Sequence, residues 1–176
     1  GGADAPDIYC AEAAFILKYS KGDMQDYAMP YEKLGIKIKK AIDDAQIAPY
    51  TVDIGSNTKG KVDALGYQTT GGCFIYRRSV AKKVFGTDDP KTVQAKLGGG
   101  SGNWDKFWKA AEECAAKGVA IISGDGDLWH AVENSSDKGW IVDDKLYIDP
   151  KREKFLDYSK NLTDKGWSNG TQDWQD

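Results

Sequence analysis

Gly66-Tyr67-Gln68-Thr69-Thr70-Gly71-Gly72-Cys73-Phe74-Ile75-Tyr76-Arg77 is the stretch on which the fold turns. Cys73 to Tyr76 is apolar, β-branched and aromatic, follows a glycine pair and precedes the charged pair Arg77-Arg78. Such a run fits the pleated, half-buried surface of a strand, so a strand is predicted there, with a helix after it.

Outward from this point, helix and strand signals alternate, which favours an α/β layer architecture over a sandwich or a bundle. Upstream, Ile8-Tyr9 reads as a short strand before an alanine-rich helix over Ala11 to Tyr19, and Ile38, Ala41, Ile42 and Ala45 stand at helical spacing before Pro49. Downstream, Asp89-Pro90 opens a helix that Gly98 closes, since Asp caps, Pro suits the first helical position and Gly suits the residue past the end. The tract Gly98-Gly99-Gly100-Ser101-Gly102 reads as a mobile surface loop. Trp104, Phe107, Trp108, Ala111 and Ala115 recur at three and four, predicting an amphipathic helix from Asn103 to Gly118, and Val119 to Ile122 then reads as a buried strand. Two short apolar runs, Trp140-Ile141-Val142 and Leu146-Tyr147-Ile148, flank Asp143-Asp144-Lys145 and predict a β-hairpin. Asp149-Pro150 starts a last helix, with Phe155, Leu156, Ser159 and Leu162 on its inner face and Gly166 at its end.

The bulk chemistry narrows the function. In 176 residues, 40% hydrophobic and 29% charged, no run of eighteen apolar residues occurs, so no membrane span is predicted. The net charge is -3, and the one basic cluster, Lys37-Ile38-Lys39-Lys40, is answered by Asp43 and Asp44; without a basic stripe, nucleic acid is not an expected partner. Cys10, Cys73 and Cys114 have no metal-ligand spacing and are odd in number, which argues against a zinc site and a disulfide framework. No metal and no cofactor are expected. The chain begins Gly1-Gly2 without a Met or a signal sequence, so targeting is inferred and not read.

The passage Leu65 to Lys83 resembles the crossover segment of the extracellular solute-binding protein family 1, which serves carbohydrate ABC importers. Further landmarks follow in the family's order: Gly86-Thr87-Asp88-Asp89-Pro90, Asn103-Trp104-Asp105-Lys106-Phe107, Lys117-Gly118-Val119-Ala120-Ile121 and Ile148-Asp149-Pro150-Lys151-Arg152-Glu153. The sequence departs from the family pattern at Gly66, where proline is common, at Cys73, where a small residue is usual, and at Arg77, where Asn or Asp is frequent. The resemblance implies an α/β, periplasmic-binding-protein-like two-lobed fold, with residues 1–66 part of the first lobe, 67–176 most of the second, and the crossover near 66–72. It also implies an internal piece of a longer protein, expected to bind ligand weakly or not at all by itself. The implied function is an extracellular, membrane-associated binding component, held at the membrane by the importer or a lipid anchor. It would hold a sugar or oligosaccharide between lobes and pass it to a permease, with no catalysis.

A sugar offers apolar C–H faces ringed by hydroxyls, so its site needs flat aromatic walls and short polar side chains on loops. Ser123-Gly124-Asp125-Gly126-Asp127-Leu128-Trp129 has both, placed after a strand and opening a helix, where ligands of open α/β sheets lie. Asp125, Asp127 and Trp129 are therefore candidate ligand-binding residues, and the lone histidine, His130, joins them; a capping Asp127, a core Trp129 and a peripheral His130 are the alternatives. The resemblance adds Tyr67 and Gln68 at the crossover and Trp174 near the end, and Glu12 follows the Ile8-Tyr9 strand. Trp104 and Trp108 have helical spacing and read as core. Asp125 and Asp127 beside Trp129 also admit a carbohydrate-active enzyme, and a non-sugar solute is the third possibility. The calcium-loop template fails at Leu128 and Trp129, and no nucleophile elbow accompanies His130.

Overall fold

A computed structural model describes residues 2–68 and 71–171, and the chain divides into two compact units, 1–71 and 72–176. It is of α/β type, mostly helical with one small two-stranded sheet among the described residues.

The first unit holds α1 (Ala13–Ser20), α2 (Ile38–Ala45) and α3 (Pro49–Ile54), with a 3-10 turn at Tyr31–Leu34. Pro49 opens α3 because its fixed φ suits the first helical position. Helix α1 packs on α3, and Lys21 ties its C-terminal end to Asp53 at 3.1 Å. Ile16, Ile38 and Thr51 are buried there. Ile8-Tyr9 forms no strand, because no neighbouring segment supplies a ladder; the backbone bends at Ile8.

The second unit holds α4 (Arg78–Phe85), α5 (Pro90–Leu97), α6 (Asp105–Ala115), α7 (Asp125–Asn134), β1 (Ile141–Val142), β2 (Lys145–Leu146) and α8 (Pro150–Asp164). The expected punctuation is present in atomic detail. The Asp89 carboxylate accepts from the Thr92 N–H at 2.8 Å and that of Asp149 from the Lys151 N–H at 2.9 Å, while Gly98 and Gly166 close α5 and α8 with φ of 77° and 64°. Asp143 and Asp144, both left-handed at φ 51° and 58°, form a two-residue turn that pairs Val142 with Lys145 and Ile141 with Leu146. Lys145 thus belongs to the strand and not to the turn.

The core of this unit is Phe107, Ala111, Ile122, Leu128, Leu162 and Trp167, with Trp104, Trp108 and Tyr158 packed against it. Three expectations are corrected. Cys73 to Tyr76 is extended but unpaired: Phe74 packs on Trp104 and Phe107, and the Tyr76 hydroxyl donates to the Asp88 carbonyl, so side chains and not a ladder hold it. Val119 to Ile122 forms only a single parallel bridge, from Ile122 to Ser168. On α8, Leu156 is 69% exposed while Arg152 is buried, because the inner face is centred on Arg152, Phe155 and Leu162. The Gly98–Gly102 tract is a built turn, with the Ser101 hydroxyl donating to the Gly98 carbonyl and accepting from the Asn103 N–H.

Candidate functional site

Residues 121 to 123 run beside 167 to 171. Ile121 N–H donates to the Trp167 carbonyl, Asn169 N–H to that of Ile122, and Thr171 N–H to that of Ser123, each at 3.0 Å. The two segments lie so close at Gly124 that a Cβ there would meet the Thr171 carbonyl oxygen at 2.0 Å, which explains why glycine stands at the entry to α7.

Gly124 is the residue that precedes α7, so Asp127 is not its cap. Asp125 and Asp127 lie in the first turn, where the unsatisfied N–H groups of a helix favour negative charge. Each carboxylate is held by a hydroxyl: Ser159 on α8 donates to Asp125, and Ser123 donates to Asp127. Both acids remain exposed, each with one oxygen bonded to a serine.

Leu128 and Val132 point α7 into the core, which turns Trp129 to its flank. The Trp129 ring is half-buried, 5.1 Å from Phe155 and 6.4 Å from Trp140. Trp140 is 43% exposed and carries the Arg152 guanidinium over its ring at 4.3 Å. Two carboxylates and an indole on α7, with the Trp140 indole beside Trp129, can offer hydrogen-bond acceptors and apolar faces to a polyhydroxylated ring. His130 follows on the exposed side of α7.

Asp125, Asp127, Trp129 and His130 are thus gathered on one helix. The other candidates are not brought to them. Glu12 is exposed at the start of α1 and makes no side-chain cap, and Tyr67, 83% exposed, and Gln68 stand at the end of the described stretch 2–68. Tyr67 is therefore not packed into a core. Trp174 lies outside the described residues. Sequence reasoning placed Trp140 in the first apolar run of the hairpin without joining it to Trp129, and it missed Ser159 as a partner of Asp125; both relations depend on how α8 and the hairpin pack. Among the described residues no group of three His, Cys, Asp or Glu side chains is placed to hold a metal ion, and no helix is long and apolar enough to cross a membrane.

No protein family, no curated protein and no solved structure matches this chain.

Proposed function

We propose that the chain binds a sugar or oligosaccharide, without chemical change to it, as the extracellular binding component of an ABC importer that hands the sugar to a permease. The observation that carries this reading is the exposed acid pair Asp125 and Asp127 in the first turn of α7, the helix that also carries Trp129, itself paired with Trp140. The ordered landmarks from Leu65 to Glu153 support the importer role, and the division of the chain at 71 and 72 supports a periplasmic-binding-protein-like fold with a part of each lobe present. In that reading the protein works outside the cell, at the membrane through the importer or a lipid anchor. Asp125 and Asp127 leave one helical turn, each bonded to a serine, whereas hydrolytic carboxylates flank the bond they cleave, so binding is favoured over hydrolysis.

The test is calorimetric titration of the longer protein that contains this chain with a panel of neutral mono- and oligosaccharides. Saturable heat with at least one sugar, abolished by Asp127→Ala, is expected; no heat across the panel at millimolar sugar overturns the sugar assignment. Release of product from a chromogenic glycoside, lost in the same variant, would replace it with a hydrolase.

A further inference from the structure

In the first unit three tyrosines distant in sequence converge. Tyr9 precedes α1, Tyr19 lies in its last turn, and Tyr27 ends the turn-rich passage after it. Ring centroids are 5.7 Å apart for Tyr9 and Tyr19, 6.1 Å for Tyr9 and Tyr27, and 6.5 Å for Tyr19 and Tyr27, with planes inclined by 54° to 59°. Tyr9 and Tyr27 are 39% and 51% exposed, so the cluster lines the surface and is not a core.

The passage that carries Tyr27 is clamped to the turn at Asn57–Gly60. Gln25 accepts from the Thr58 N–H and hydroxyl, and Asp26 pairs with Lys59 at 2.7 Å. That turn leads into Asp63, which is only 9% exposed. Its Oδ2 accepts from the Asn57 amide at 3.0 Å, while its Oδ1 is buried with no hydrogen-bond partner among the described residues. A buried acceptor left unpaired is uncommon, and a carboxylate in that state favours a donor or a counter-charge. Asp63 also acts on the cluster, since its charge, after burial and the hydroxyls of Tyr27 and Tyr19, raises the Tyr9 pKa.

We propose that Tyr9, Tyr19, Tyr27 and Asp63 form a binding site for a small organic cation of the quaternary-ammonium class. The point equidistant from the three centroids lies about 3.5 Å from each, so a cation seated just above it stays within the roughly 6 Å over which an aromatic ring attracts positive charge. Three mutually tilted rings suit a compact, rounded head group. A flat sugar face needs a single ring or a near-parallel pair instead. The Lys18 ammonium lies 6.0 Å over Tyr19, the least exposed of the three rings, so a cation already faces that ring. This site stands independently of the sugar reading, which rests on the second unit.

The test is an NMR titration of the whole chain with tetramethylammonium chloride and with choline, against the neutral isostere 3,3-dimethylbutan-1-ol and against sodium chloride of equal ionic strength. Saturable shifts in the Tyr9, Tyr19 and Tyr27 ring resonances with both cations alone are expected. Asp63→Asn should weaken binding about tenfold, as should Tyr27→Leu, which alters a half-exposed ring and leaves Asp63 in place. Equal shifts with the neutral alcohol, saturation by a sugar but not a cation, or unchanged affinity in folded Asp63→Asn and Tyr27→Leu would overturn the proposal, and so would the absence of any saturable shift.

Discussion

The Arg152 guanidinium lies over the Trp140 ring, 4.3 Å from its centroid, and so joins α8 to the hairpin. Arg152 is only 8% exposed, and its Nε and Nη1 are buried without hydrogen-bond partners among the described residues. Two effects oppose each other. A desolvated cation–π contact contributes about 2 kcal/mol, and each of the two buried unpaired donors costs about 1–3 kcal/mol.

Because the two donors cost at least as much as the contact contributes, Arg152→Met, which keeps the aliphatic stem, should leave stability unchanged or raise it by up to about 4 kcal/mol. Arg152→Ala also loses the packing of the stem and should be about 2 kcal/mol less stable than the methionine variant. Urea unfolding followed by tryptophan fluorescence measures both; a loss in the methionine variant as large as in the alanine variant would show that charge and not packing dominates.

Gly124→Ala should destabilise the second unit by about 2 kcal/mol or more, because the added Cβ collides with backbone and not with a side chain that can move aside. The expected sign is faster amide hydrogen exchange at Ile121, Asn169 and Thr171, whose N–H groups join the two segments. Unchanged exchange at those amides would mean that the segments separate without cost.

Asp63 gives the first unit a pH dependence. Burial raises its pKa above the usual 3.8, aided by Asp26 and opposed by the Asn57 hydrogen bond and by Lys59 and Lys33. In the interval between the unfolded and the raised folded value the folded state binds more protons, so the contribution of Asp63 to stability falls as pH rises through it. Asp63→Asn removes this slope. Thermal unfolding from pH 3.5 to pH 7 should therefore show the variant gaining on the parent as pH increases; a constant difference would place the Asp63 pKa at its ordinary value.

Much of the helical architecture was legible in the sequence, because helix ends are decided locally. Asp89-Pro90, Gly98, Asp149-Pro150 and Gly166 each act through their own φ angle or a bond to a residue two or three positions away. The hairpin was legible for the same reason, through the left-handed turn at Asp143 and Asp144. Strands were not. Cys73 to Tyr76 has the composition of a strand, but a ladder needs a partner, and composition does not say whether one exists. Ile121 to Ser123 finds its partner only at Trp167 to Thr171.

The candidate site divides in the same way. Asp125, Asp127, Trp129 and His130 lie on consecutive turns of one helix and could be found by reading along the chain. The Trp129–Trp140 pair and the Ser159 bond to Asp125 are made across elements, and Tyr9, Tyr19 and Tyr27 follow no helical or strand period that would announce a cluster.

The sugar reading is tested most directly by residue-resolved NMR of the longer protein that contains this chain during titration with the oligosaccharides of the calorimetric panel. The account predicts saturable shifts at the Trp129 and Trp140 indole N–H groups and at the Asp125 to His130 amides, lost in Asp127→Asn while the spectrum stays folded. Sugar-induced shifts confined to other residues, or none at these positions up to high millimolar sugar, would contradict it.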